Sequence, residues 1–218
     1  NRVSNNNLSI DDIQLKSMTT NLNYRLIAMS EEMSKSLIIH SGIEAIQILC
    51  DSERVAEDLM YAYNEGDTIY PVSIVLREWN PLITPQTEFR GFVWNGKLNC
   101  VGQYWHSLYF PHLQNKELQT QISNDLLQFF EQIKNLLPVP NAMLDLAWIK
   151  PGEVILIEVN PLMEGLGSFR GSTGLFDYYN DSEILQGKLP FEFRVRTIEE
   201  DRATLISHMS LEWRNEIF

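Results

Sequence analysis

Apolar residues recur at helical spacing in one long stretch of this chain and cluster in several short ones, and that contrast divides it into elements. Leu118, Ile122, Leu126, Phe129, Phe130, Ile133 and Leu137 fall on one helical face. They predict a helix of about five turns over 116–137, which Pro138 and Pro140 end. Ser41-Gly42-Ile43-Glu44 has capping-box spacing and opens another helix, with Ile43, Ile46, Leu49 and Cys50 on one face. Residues 52–63 predict a third helix, with Val55, Leu59 and Tyr63 four residues apart, and 201–212 a closing one. The segments 24–29 (YRLIAM), 72–79 (VSIVLREW) and 191–196 (FEFRVR) read as strands. Residues 88–94 and 97–104 flank Asn95-Gly96, the dipeptide that favours a two-residue hairpin turn. That turn sets Glu88 opposite Gln103 and Arg90 opposite Val101, so Glu88, Arg90 and Gln103 share one face while Phe89 and Val93 take the other. The first 23 residues are polar and Asn-rich, and 165–174 (GLGSFRGSTG) form a Gly/Ser loop.

Residues 141–161 (NAMLDLAWIKPGEVILIEVNP) predict a second hairpin, turning at Pro151-Gly152. Counting outward from the turn, Trp148 faces Ile155, Leu146 faces Ile157, and Asp145 lands opposite Glu158. Alternation then puts Asp145, Glu158 and Asn160 on one face. Opposed like charges destabilise a sheet, and carboxylates among apolar residues need a partner. Two readings answer that need. A divalent cation would take both carboxylates and the amide oxygen, a hard oxygen set that suits Mg2+. Alternatively the acids lie at a wet rim and pair with Arg or Lys.

The elements add up to an α+β fold with a mainly antiparallel sheet and helices on one side. A length of 218 residues suffices for one large domain or two small ones, at ordinary globular composition (44% hydrophobic, 21% charged). The net charge of −12 argues against a nucleic-acid surface. Cys50 and Cys100 form neither a disulfide framework nor a zinc motif, and no apolar run approaches ~18 residues. The expectation is a cytoplasmic protein without membrane or nucleic-acid partners. Asn1 is not a native start, so upstream sequence is expected.

Arg77 and Glu78 late in one predicted strand, Arg90 and Gln103 on the hairpin face, and Arg194 in the last strand join the acidic set as a candidate polyanion site. Mg2+ held by carboxylates would bridge phosphate oxygens that arginines also grip. The strand 74–79 offers an edge for adenine. His40, His106, His112 and His208 have no metal-ligand spacing, and neither a GxSxG nor a Walker-type loop occurs.

LREW (76–79), EFRGFVWNGKLNCVGQ (88–103), Asp145, LIEVNP (156–161) and EFRV (192–195) resemble, in the same order, motifs of the cell division cycle protein 123 family. SERVAEDL (52–59) and GSTGLFDY (171–178) resemble its flanking segments. The resemblance spans about residues 41–196. It implies an ATP-grasp-like fold that binds ATP and Mg2+ between two α+β subdomains. Residues 1–70 would be a partial amino-terminal subdomain and 71–218 the carboxy-terminal one with the nucleotide and metal site. The implied metal ligands are Asp145, Glu158 and Asn160. The implied nucleotide-binding residues are Arg77, Glu78 and Trp79 along the adenine-side strand, with Arg90, Gln103 and Arg194, and Arg25 or Lys35 as the cation reaching phosphate. Three positions depart from the family pattern: Glu78 replaces a lysine, Tyr104 an arginine, and Glu158 an aspartate. The implied function is that of an assembly factor, a chaperone for the gamma subunit of translation initiation factor 2. The alternative is an ATP-grasp ligase or phosphotransferase acting on a carboxylate or hydroxyl acceptor.

Overall fold

A computed structural model of the chain describes residues 21–66, 68–162 and 174–208. The first helix, α1 (Leu22–Lys35), starts where the Asn21 side chain accepts the Tyr24 N–H at 3.3 Å. It replaces the strand expected at 24–29. That window was too short to show its period, whereas Leu22, Leu26 and Met29 recur at helical spacing and pack into the core.

The chain forms two compact units, one made of the residues up to Ser30 and from Leu82 onward, the other of Glu31–Pro81. Within the smaller unit lie α2 (Gly42–Cys50) and α3 (Glu53–Glu65). Ser41 caps α2 by accepting the Glu44 N–H at 3.2 Å, and the Glu44 carboxylate reaches back to the His40 N–H at 2.7 Å. Ser52 caps α3 through the Val55 N–H. Residues 71–80 form no strand, contrary to expectation. Their β-branched composition favours extended backbone, but a strand also needs a ladder partner, and none of the described residues supplies one.

The larger unit is built on a five-stranded sheet, β1 (Glu88–Trp94), β2 (Lys97–Gln103), β3 (Ala142–Lys150), β4 (Glu153–Pro161) and β5 (Glu192–Arg194), in the spatial order β4-β3-β1-β2-β5. Every pairing is antiparallel except β2 with β5. Asn95 and Gly96 both take positive φ (51° and 70°), as the tight β1–β2 turn demands. The long helix α4 (Lys116–Ile133) follows an Asn115 cap and continues as a 3-10 turn to Leu136. Its Ile122, Leu126 and Phe130 pack with Phe89, Val93, Val101, Leu144 and Leu146 into the main core. On the opposite face, the short helix α5 (Ser182–Leu185) and Phe176 cover Phe92, Cys100 and Met143. A closing helix, α6 (Arg202–His208), adds Leu205 to the main core. The rest of the predicted 201–212 helix and residues 165–173 of the Gly/Ser loop lie outside the described residues. Among the described residues no helix is long and apolar enough to cross a membrane.

Candidate functional site

Three register irregularities decide which side chains meet. In the β3–β4 hairpin Asp145 does lie opposite Glu158, but by a compensated route. Trp148 pairs with Val154 and Leu146 with Leu156, because Ile149 on β3 and Ile157 on β4 are each an extra residue. Two bulges on opposite strands cancel, so the count is right at Asp145 and wrong between it and the turn.

The β1–β2 ladder contains one uncompensated bulge. Phe92 pairs with Cys100 and Val93 with Leu98, leaving Asn99 unpaired. Beyond it every β2 side chain is displaced by one position, so Gln103 pairs with Phe89 and Arg90 with Gly102. The expected common face of Glu88, Arg90 and Gln103 is therefore corrected: Gln103 turns into the core side. There it is 1% exposed and gives its Nε2 to the Trp105 and Leu108 carbonyls, while its Oε1 accepts the Arg196 N–H. It pins the loop after β2 and the chain after β5.

What remains forms a single row across all five strands. Glu158 pairs with Asp145, Asp145 with Arg90, Arg90 with Gly102, and Gly102 with Arg194. Cross-strand partners share a face, so this row presents two carboxylates and two guanidinium groups to one side of the sheet. Asn160 stands in the adjacent row, paired with Met143. Arg90 grips Asp145 in a two-pronged bond, Nε to Oδ1 at 2.7 Å and Nη2 to Oδ2 at 2.8 Å. Both side chains are well buried, 15% and 5% exposed. Burial is the largest single influence and opposes the Arg90 charge, but the bond to Asp145, together with the Asp145 charge and the nearby Tyr104 and Glu158, outweighs it and raises the guanidinium above its ordinary range. The Arg90 Cζ also lies 4.6 Å from the centre of the Tyr104 ring.

Glu88 joins this side of the sheet. Burial pushes its carboxyl up to about 7, against the Trp105 indole N–H and with help from the Asp145 charge. The Trp105 N–H is itself buried and forms no bond of good geometry, although it favours the Glu88 carboxylate.

At the far end of the row Arg194 is committed to its neighbours. It bonds Asp181 through Nη1 (2.7 Å) and Nη2 (2.8 Å), Glu192 through Nε (2.6 Å), and the Leu175 carbonyl (3.0 Å), and it lies over Phe176. These acids hold it well above its ordinary range, the Asp181 bond contributing most. Gly102 leaves room for Phe176, whose ring edge would come within 3.3 Å of an added Cβ.

The other expected residues are not part of this row. Arg25 is exposed on α1, and Lys35 pairs with Glu32 at 2.7 Å. Arg77, Glu78 and Trp79 sit on the exposed 71–80 stretch of the smaller unit. The structure brings together Arg90, Asp145, Glu158 and Asn160, and places Arg194 along the same row. Tyr104 was missed as a site residue. Its signal was the broken alternation of KLNCVGQ, in which Cys100 and Val101 are consecutive and apolar.

Among the described residues no three His, Cys, Asp or Glu side chains form a metal-binding group. The set here is two carboxylates and one amide. Arg90 engages both Asp145 oxygens, yet each keeps a second lone pair. Glu158 is exposed and Asn160 half-buried, and no bond to another described residue occupies either. Such a set suits an ion that retains several of its own waters, as Mg2+ does.

The chain has relatives. A family model, D123, matches residues 29–212. The chain belongs to the D123 family. Among solved structures it is similar to Cdc123 from Schizosaccharomyces pombe, at 22% identity and a TM-score of 0.55, covering 72% of this chain and 62% of that one. A C-terminally truncated form of the same yeast protein matches at 21% identity and a TM-score of 0.56, with 73% and 63% covered. The D123 chain described here thus spans less than two thirds of the yeast protein's length, and at this identity the likeness is one of fold. No curated protein matches it.

Proposed function

We propose that this D123-family chain binds ATP with Mg2+ on the sheet face bearing Arg90, Asp145, Glu158 and Asn160, and serves as an assembly factor for the gamma subunit of translation initiation factor 2. The observation that supports this reading is the row itself. Two acids stand beside a guanidinium at one level of one face, with an amide in the next row, a donor set that suits a metal-bridged phosphate. Bound Mg2+ would supply positive charge between the carboxylates and the phosphate oxygens. Asp145 and Glu158 would hold it with Asn160, and Arg90 would contact phosphate from the Asp145 side.

Calorimetry with ATP, ADP and GTP, with and without Mg2+, tests the reading. ATP is expected to bind only with Mg2+, and Glu158→Gln to weaken ATP without affecting adenosine. Metal-independent binding, or none at millimolar ATP, would remove the site. Release of ADP in the presence of a carboxylate or hydroxyl acceptor would replace the assembly role with the ligase or phosphotransferase one.

A further inference from the structure

We infer that Tyr104 is a positioning residue that holds the Arg90 guanidinium for an anionic ligand; the inference rests on the phosphate reading above. A bidentate bond fixes the guanidinium in the plane of the Asp145 carboxylate but leaves the pair able to hinge about the long arginine side chain. The Tyr104 ring, 4.6 Å from Arg90 Cζ, closes one face of that plane and attracts the cation through its electron-rich face. Tyr104 is in turn held through its backbone and through its ring. The Tyr104 N–H donates to the Glu88 carbonyl at 3.0 Å, extending the β1–β2 ladder by one residue. Trp105 abuts it edge-on, with centroids 5.9 Å apart and planes at 68°.

The Asn99 bulge is what delivers Tyr104 to this face. An unbroken ladder from the Asn95-Gly96 turn would put Gln103 beside Arg90 and send Tyr104 to the core side. The extra residue exchanges them. The bulge is anchored away from the site, where the Asn99 Nδ2 donates to the Leu185 carbonyl at 3.0 Å. One buried amide thereby decides that Arg90 meets an aromatic ring.

Arginine Nε–H exchange in the ligand-free protein, followed by nitrogen-15 NMR, separates this inference from the nucleotide reading. Arg194 and Arg196 also bond through Nε, to Glu192 and to the His106 carbonyl, so the Arg90 Nε–H is assigned as the protected signal that is absent in Arg90→Lys. Tyr104→Leu should expose it to exchange and weaken ATP·Mg2+ by roughly tenfold, with adenosine unchanged. Tyr104→Phe keeps the ring and should keep both properties, which guards against a Leu variant that merely folds badly. Unchanged Arg90 exchange in Tyr104→Leu overturns the positioning role, as does a Phe variant that behaves like Leu. Faster Arg90 exchange in Tyr104→Leu, in a protein that binds no ATP, sustains the clamp and removes the nucleotide reading alone.

Discussion

Asp145 and Arg90 show how strongly one residue's setting governs its behaviour. Two opposed acids on a sheet call for a cation, and within the chain that cation is Arg90. Asp145→Asn leaves a buried guanidinium without its counter-charge, so the unliganded protein is expected to lose about 3 kcal/mol, measured by urea unfolding. An unchanged midpoint would mean that the pair is worth little to the fold. Glu88 behaves in the opposite sense. Its folded-state carboxyl titrates near 7, well above the ordinary 4.5. As pH rises from 4.5 to 7 the unfolded chain ionises this group while the native one resists, so its effect is to lower stability across that window. In Glu88→Gln the stability profile between pH 5 and 7 should be flatter or rise relative to wild type; parallel profiles would argue that Glu88 is not held neutral.

At the scale of elements, the long helix and the β3–β4 hairpin are tied by one acid. Asp125 on α4 accepts from the Trp148 indole at 2.7 Å, the Gly152 N–H at 3.0 Å and Gln121 at 2.9 Å. Burial works against its charge, but these donors prevail and hold its carboxyl below the usual range. Its contribution is present above the ordinary carboxylate pKa and is lost as pH falls through the lowered one. Asp125→Ala should cost about 2–3 kcal/mol, with a change in Trp148 fluorescence, and should make the acid limb of the stability curve shallower. Gly187 is the second tie. It takes φ +70°, and an added Cβ would lie 2.5 Å from the Asn99 Oδ1. Gly187→Ala is expected to cost about 2–3 kcal/mol. Because it presses on the residue that makes the bulge, it should also perturb the Tyr104 and Arg90 resonances; a stable variant with unshifted resonances would show that the loop simply moves aside.

For the whole molecule, stability is unevenly distributed between the two units. Within Glu31–Pro81 the only buried apolar residues among those described are Ala45 and Ala62, while Ile43, Leu59, Met60 and Tyr63 are each more than half exposed. The larger unit buries Phe89, Phe92, Leu144, Leu146 and Leu126 almost completely. Local opening follows the apolar surface that an element buries. Amide exchange over α2 and α3 should therefore be faster than over β1, β2 and β3 by orders of magnitude. Equal protection in both would mean that the smaller unit's apolar side chains are covered in solution.

Local chemistry was legible in the sequence wherever one or two residues determine a conformation. The Asn95-Gly96 turn, the Ser41 cap and the α4 stripe follow from side chains acting on nearby backbone, whereas counting from the turn reached the Asp145–Glu158 pairing only because two bulges cancel. The family motifs, too, stand in linear order along the chain. Tertiary structure decided the rest. Residues 24–29 became helix because Leu26 and Ile27 found the main core, and 71–80 formed no strand because a ladder needs a second chain segment. It chose Arg90 as the partner of Asp145, an ion pair across 55 residues of sequence. It also exchanged Gln103 for Tyr104 at the site, since a single extra residue in a strand, held by a contact 86 residues away, inverts every side chain beyond it.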